Sequence, residues 1–333
     1  MSTNARVLID SLPTGPLTEQ NYRLDAIPVA APDEGQVQVR TLAFAITAGT
    51  RAGLQGSASY AGAPKTGIVM NATGVGIVEV SRHPHLQVGD AVLGPLGWQS
   101  HPVLDGDTLT PIPAGDDPVA WLGPLGVNGL TAYFGLLRVG RPEAGETVLV
   151  SAAAGSVGHL VGQIARTRGC RVVGLTSSER KADLLTGELG FDAAVNYRDD
   201  GFRQALKEAC PDGVDVYFDN TGGDLLGAAL FRMNVGGRIA CCGVVSQYDT
   251  ADPSPGPRGV PGLLVNKRIT MQGFLVFDFQ AEYDSARDEM RALLQAGTVR
   301  ALVDEVEGLE SAPAAFVDLL AGGNVGTRVV RLS

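Results

Sequence analysis

Two patterns of apolar and polar residues divide this chain. Over residues 6–117, apolar and polar positions alternate in short runs, as at Val37, Val39 and Thr41 and again over 74–80, with Pro, Gly and Asp interrupting at short intervals. A period of two puts successive side chains on opposite faces of a strand, so this part predicts an irregular, barrel-like, all-β unit. From Gly145 onward the pattern changes. Short apolar runs at 147–150, 171–175, 193–196, 214–219 and 238–242 read as strands, with helical stretches ending near Arg168, Leu189, Ala209 and Met233 between them. Strands alternating with helices in this way build a parallel, doubly wound sheet. A strand over 269–276 and a helix over 282–296 follow, and strands over 299–306 and 326–332 return to the first pattern. The prediction is an α/β protein of two domains, with a sheet domain at 128–297 inserted into a β-rich domain at 1–127 that is completed by 298–333.

The stretch TVLVSAAAGSVGHLVGQIARTRG, 147–169, carries the most chemistry. After the β-branched strand, Ala153, Gly155 and Gly158 have the spacing of a dinucleotide-binding turn, with Ala in place of the first Gly. Val157, Leu160, Val161, Ile164 and Ala165 then form one apolar helical stripe. A glycine in the turn lets backbone approach a pyrophosphate, and the helix N-terminus offers N–H groups and a positive dipole end. A plain strand-turn-helix is the alternative. The next strand ends at Thr176, Ser177 and Ser178, where an enzyme using NAD would carry an acid for the ribose 2′-hydroxyl, and Arg180 and Lys181 follow. That favours NADPH, with Lys181 the better candidate and Arg180 a solvated helix start beside Glu179.

Composition narrows the function. The chain has 333 residues, 44 of them Gly, and a net charge of −10, which argues against nucleic acid or an anionic membrane as partner. Residues 118–137 lack charge, but Pro118, Pro124, Asn128 and several glycines make a buried connection a better reading than a membrane span. No apolar run or twin Arg begins MSTNARVLIDSLPTG, so a cytoplasmic protein is expected. Cys170, Cys210, Cys241 and Cys242 form no C-x-x-C pair and suit free thiols in a reducing compartment. His83, His85, His101 and His159 show no ligand spacing with Cys or acids, so no metal is expected. Residues 252–262, dense in Pro and Gly, read as a lid or as a rigid surface connection.

Several motifs in order carry a resemblance: GLTAYFGLL at 129–137, SAAAGSVGHLVGQIAR at 151–166, NY at 196–197, YFDNTGG at 217–223, GRIACCGVVSQY at 237–248, MQGFLVFDF at 271–279 and GGNVGTR at 322–328. The chain resembles the medium-chain dehydrogenase/reductase superfamily, in its zinc-independent branch of prostaglandin and alkenal double-bond reductases. The resemblance implies a GroES-like domain with a Rossmann domain, NADP(H) as cofactor and a homodimer. It also implies that Ala154, Gly155, Ser156 and Val157 hold the pyrophosphate, Lys181 and Tyr197 the adenosine phosphate end, and that Asn220 lines the cleft. Cys242, Gly243, Val244, Ser246 and Tyr248 would follow the strand reaching the nicotinamide ribose. Phe274, Leu275 and Val276 would meet the carboxamide through backbone, and Asn324 would close the site. Read alone, 220–223 is a turn, 274–276 a core strand and Asn324 a turn residue.

Zinc members of the superfamily carry Gly-His-Glu where this chain has Met70, Asn71 and Ala72. The chemistry implied without zinc is hydride delivery to the C=C bond of an α,β-unsaturated carbonyl, with charge building on the carbonyl oxygen. Tyr248 is the candidate donor there, the alternative being that it only contacts the ribose. A quinone oxidoreductase and a non-catalytic NADPH-binding protein are the rival readings. The branch usually has Asp-Pro-Tyr-Met-Arg where this chain has Thr47, Ala48, Gly49, Thr50 and Arg51. Gly49 in place of the aromatic predicts a wider substrate pocket lined by Gly49 and Arg51. Replacing Lys181 by Ala should weaken NADPH by about 1.5–3 kcal/mol, the scale of a hydrogen bond to a charged group, and leave NADH nearly unchanged. Titration calorimetry with both cofactors checks this, and equal losses would refute the phosphate assignment.

Overall fold

The structure, a computed structural model, describes residues 3–56, 63–252 and 256–332. Two compact units emerge: Met1–Gly126 with Tyr248–Ala251 and Val303–Ser333, and Val127–Gln247 with Asp252–Leu302. Residues 253–255 of the proposed lid lie outside the described residues.

The first unit opens with β1 (Thr3–Ile9), β2 (Tyr22–Pro28) and the long β3 (Gln36–Ile46), followed by helix α1 (Gly49–Gln55). β4 (Gly74–Ser81), β5 (Ala91–Gly94), β6 (Val103–Asp105) and β7 (Thr110–Pro111) complete this part. β1 and β2 pair antiparallel, and the alternation noted in the sequence buries Val37 and Val39 fully on β3. One core gathers on Trp98, whose ring lies 5.2 Å from that of Tyr22, 5.8 Å from Phe44 and 6.0 Å from Phe316.

The second unit alternates helix and strand: α2 (Val127–Phe134), β8 (Thr147–Val150), α3 (Gly158–Thr167), β9 (Arg171–Thr176), α4 (Glu179–Gly187), β10 (Ala193–Asn196), α5 (Phe202–Ala209), β11 (Val214–Asp219), α6 (Gly223–Arg232), β12 (Met233–Cys241), α7 (Val260–Lys267), β13 (Thr270–Gly273) and α8 (Tyr283–Gln295). The strand order is β10-β9-β8-β11-β12-β13, every pair parallel. Strand order therefore reverses between β8 and β11, which is where sheets of this type bind ligand at the strands' carboxyl ends. The stripe foreseen on α3 is buried at Leu160, Val161, Ile164 and Ala165. A Cβ on Gly162 would fall 1.9 Å from the Phe191 ring, so only Gly lets α3 lie this close.

The chain then returns to the first unit with β14 (Val303–Glu307), α9 (Ala312–Leu320) and β15 (Thr327–Arg331), extending the sheet to β14-β15-β3-β4-β5-β7. α9 is absent from the sequence reading. It buries Ala312, Ala315, Phe316 and Leu319 in the Trp98 core, and Pro313 fits its first turn.

Several expected boundaries move, each for a local reason. The stretch 118–137 is buried but helical: a 3₁₀ turn at Pro118–Leu122, then α2, then a π-helical turn at Gly135–Gly140. The strand expected over 269–276 stops at Gly273, because Asp278 accepts the Leu275 N–H at 3.0 Å and starts a 3₁₀ turn at Val276–Glu282. The strand expected over 299–306 begins only at Val303, since the N–H groups of Arg300 and Leu302 are taken by Gln163 and His159. The Pro- and Gly-rich loop gives way to α7 at Val260, with Pro261 in the first turn.

Candidate active site

The reversal point is built around one buried carboxylate. Asp219, 2% exposed at the end of β11, accepts from the Tyr217 hydroxyl at 2.9 Å, from the N–H groups of Thr221 and Gly222 at 3.0 and 2.8 Å, and from the Ser151 hydroxyl at 3.3 Å. Its backbone carbonyl accepts the N–H groups of Cys242 and Gly243 at 2.8 and 3.1 Å. Burial pushes the Asp219 carboxyl up, and the Gly222 and Thr221 N–H groups pull against that shift. Asn220 joins the same network: its N–H donates to Ser151 Oγ at 2.9 Å and its Nδ2 to the Ser151 carbonyl at 2.8 Å. One residue thus ties the turn after β8, the turn after β11 and the segment after β12.

The turn after β8 is closely packed on its inner side. Ala153 and Ala154 are buried, and a Cβ on Gly158 would fall 2.3 Å from the Ala152 carbonyl oxygen, so the turn can close only with Gly there. At Gly155 a Cβ would meet only that carbonyl, at 3.1 Å, leaving its outer side open. α3 begins after Val157 with no side-chain cap, the condition for an anion at a helix N-terminus. Ser156 and Val157 are half-buried beside it.

His159, absent from the candidate residues, holds this turn from within. Its Nε2 accepts the Leu302 N–H at 3.0 Å, so the proton sits on Nδ1, which donates to the Gly155 carbonyl at 2.8 Å. Complete burial pushes the imidazole down to about 4, against the opposing pull of the Gly155 and Ser156 backbone groups, and it stays neutral. Gln163, one turn along α3, exchanges two hydrogen bonds with the Arg300 backbone at 3.0 and 2.7 Å.

At the strand end after β9, Ser178 Oγ caps α4 by accepting the Lys181 N–H at 3.4 Å. Lys181 therefore lies in the first turn of α4, and Tyr197 is held nearby in the sheet through its N–H to the Thr176 carbonyl at 2.9 Å. Arg180 and Glu179 are exposed. This strand end carries no acid, and its donors suit a 2′-phosphate.

Beyond β12, the segment 242–247 is sewn onto the turn after β11. Val245 N–H donates to the Asn220 carbonyl at 3.3 Å, and the N–H and Oγ of Ser246 donate to the Thr221 carbonyl at 3.1 and 2.7 Å. Val244 lies beside Gly222, where an added Cβ would come within 3.0 Å of its Cγ2. Burial pushes the Cys241 thiol up to about 11 and the Cys242 thiol up to about 12, with Asp219 adding to both, so neither is a thiolate at neutral pH.

The segment 274–276 is not the core strand that the sequence suggests. Phe274 is no strand residue: its ring meets Phe218 edge-on at 6.3 Å and fills the space a Cβ on Gly135 would take. Both backbone groups of Leu275 already bond to Asp278, so among 274–276 the backbone of Phe274 and Val276 is the better candidate. Asn324 belongs to the first unit, where its Nδ2 donates to the Gly326 carbonyl at 2.9 Å. Gly49 opens α1, and Arg51 is no pocket wall. It is 1% exposed and engaged with Asp249 and Gly15. Tyr248 and Asp249 belong to the first unit, directly after the segment 242–247.

Among known families, the model described as zinc-binding dehydrogenase matches residues 156–294, and that of the N-terminal domain of oxidoreductase matches 5–112. The NADPH-dependent curcumin reductase of Escherichia coli (strain K12) is 39% identical over 337 residues, covering 99% of this chain and 97% of that protein. The chain belongs to the medium-chain dehydrogenase/reductase superfamily. Its place in this superfamily is the alkenal and prostaglandin reductase branch: the 2-alkenal reductase (NADP(+)-dependent) of Nicotiana tabacum is 44% identical over 268 residues, covering 78% of this chain and 77% of that one. The crystal structure of CurA in complex with NADPH from Vibrio vulnificus superposes with a TM-score of 0.94 at 35% identity, covering 99% of both chains. Solved quinone oxidoreductases from Pseudomonas syringae and Escherichia coli, both 22% identical, share the superfamily fold.

The neutral His159 gives this superfamily member a measurable acid sensitivity. Its folded value is lowered, so its stabilisation is complete above its ordinary value near 6.5 and drains away as pH falls toward about 4. Urea unfolding at pH 7, 5.5 and 4 should show the wild type losing on the order of 3 kcal/mol more than His159→Gln over that window. Equal losses in both proteins would refute the assignment.

Proposed function

We propose that this protein is an NADPH-dependent reductase that delivers hydride to the C=C bond of an α,β-unsaturated carbonyl compound, without zinc. The observation carrying this reading is the near full-length similarity to a curcumin reductase, together with relatives described as 2-alkenal, (+)-pulegone and prostaglandin reductases. At the reversal point between β8 and β11, a bound reduced nicotinamide supplies the hydride. The chain's own residues orient it: Ala154, Gly155, Ser156 and Val157 hold the pyrophosphate, and Lys181 with Tyr197 holds the 2′-phosphate end. Asn220, Cys242, Gly243, Val244 and Ser246 line the path to the reacting ring, and Phe274, Val276 and Asn324 complete its surroundings.

Charge that builds on the substrate carbonyl oxygen needs a donor, and Tyr248 is the residue we assign to it. Zinc independence rests on Met70, Asn71 and Ala72 standing where zinc members of the superfamily carry Gly-His-Glu. Gly49 in place of an aromatic leaves room for a bulky enone. The quinone reading has weaker support, since its solved examples are only 22% identical.

Turnover of but-3-en-2-one, a bulky diaryl enone and a benzoquinone, followed by loss of reduced-nicotinamide absorbance, separates the readings. The enones should be reduced with NADPH well ahead of the quinone, and Tyr248→Phe should lower their kcat by about 10²-fold with NADPH affinity unchanged. Quinone as the sole good substrate, or binding of NADPH without oxidation by any of the three, would overturn the proposal.

A homodimer in the cytoplasm completes the reading. No helix among the described residues is long and apolar enough to cross a membrane. β13 is an edge strand with every residue exposed, and Met271, Leu275, Phe277, Phe231 and Val265 expose apolar surface in the same unit. An uncovered strand edge of this kind seeks a partner, and a second copy supplies one. Sedimentation equilibrium should give twice the chain mass, and a monomer at micromolar concentration would count against it.

A further inference from the structure

The short segment Tyr248–Ala251 belongs to the first unit, although the chain on either side of it belongs to the second. An ion pair between the buried Arg51 and the partly exposed Asp249 holds it there. Asp249 Oδ1 accepts from Arg51 Nε at 2.8 Å and from the Leu17 N–H at 2.7 Å, and Arg51 Nη2 donates to the Gly15 carbonyl at 2.7 Å. The guanidinium is thus gripped along two directions by a chain carbonyl and a carboxylate, a geometry that Lys cannot reproduce. Arg51 is 1% exposed, and among the described residues its Nη1 and the buried hydroxyl of Tyr22 have no hydrogen-bond partner. Burial pushes the Tyr22 phenol far up, with opposing smaller effects from the Arg51 and Asp249 charges.

An ion pair whose guanidinium is fully buried with one loose end is a poor way to add stability, because desolvating that cation offsets much of the attraction. Its effect is to fix geometry. Arg51 is also the one residue of its motif that matches the branch pattern, in a chain where the neighbouring aromatic is Gly49. We infer that Arg51 and Asp249 are positioning residues for Tyr248, the Asp249 carboxylate anchoring to α1 the backbone that carries the donor hydroxyl. This rests on the reading of Tyr248 as the donor. A displacement of about 1 Å at a reacting group can cost up to 10²-fold in rate, so an anchor one residue away has leverage on kcat.

A double-mutant cycle on the full-length protein with NADPH and but-3-en-2-one tests the link. Asp249→Asn keeps the side-chain shape and an acceptor for Leu17, and should lower kcat by about tenfold or more while the KM for NADPH stays within about twofold. In a Tyr248→Phe background the same substitution should cost nothing further, because a positioning residue has no target once the hydroxyl is gone. Where Asp249→Asn is too unstable to purify, Arg51→Lys enters the same cycle. Equal losses in the two backgrounds, or an unchanged kcat in Asp249→Asn, would overturn the positioning role while leaving Tyr248 as donor. A Tyr248→Phe protein with wild-type turnover would instead remove the donor reading, and this inference with it.

Discussion

A buried carboxylate at the point where strand order reverses is the constraint on which the cofactor half of this protein depends. Three loops must meet there, and loops carry backbone N–H groups that no strand partner satisfies. Asp219 answers that need by accepting the Thr221 and Gly222 N–H groups with its side chain and those of Cys242 and Gly243 with its carbonyl. The cost is desolvation of a charge, offset by the Tyr217 phenol and the Ser151 hydroxyl. Removing any one partner would leave the others facing an unsatisfied group in low dielectric, which makes the network strongly coupled.

The turn after β8 is stabilised by the opposite electrostatic choice. There a neutral imidazole serves, because His159 must accept from Leu302 and donate to Gly155 at the same time, which an imidazolium cannot do. Burial enforces the neutral form. Through this ring and the adjacent Gln163, the turn after β8 is bonded to the last residues of the second unit before the chain leaves it. The first unit uses a third device, an ion pair in which Arg51 Nε lies 2.8 Å from Asp249 Oδ1.

Much of this was legible in the residues. The switch from period-two alternation to strand and helix marked the Rossmann unit, and the apolar stripe of α3 is buried as its spacing required. Lys181 lies in the first turn of α4, Tyr197 directly follows β10, and Asn220 lies in the network at the reversal point. The roles of Asp219, His159, Gln163 and Asp249 are not legible in the sequence, because each looks ordinary in its local context: an acid ending a strand, a polar pair on a helix, an acid after a tyrosine. The only local hint was polar residues inside an apolar stripe, as His159 and Gln163 are on α3. Arg51 was misread for the same reason, its partner lying 198 residues away.

Local order was therefore determined by the sequence itself. Alternation, helical stripes and the Ala153, Gly155 and Gly158 spacing depend on side chains a few positions apart, whose relative placement follows from backbone geometry alone. The sequence also determined the preference at the strand end after β9, because no acid stands among Thr176, Ser177 and Ser178. Tertiary structure alone decided which polar groups share a burial site. Strands over 269–276 and 299–306 end or start where distant or neighbouring side chains capture their N–H groups, and Arg51 becomes an anchor only once Asp249 lies beside it. Hydrogen bonds between residues far apart in the chain depend on the closed fold, and no periodicity encodes them.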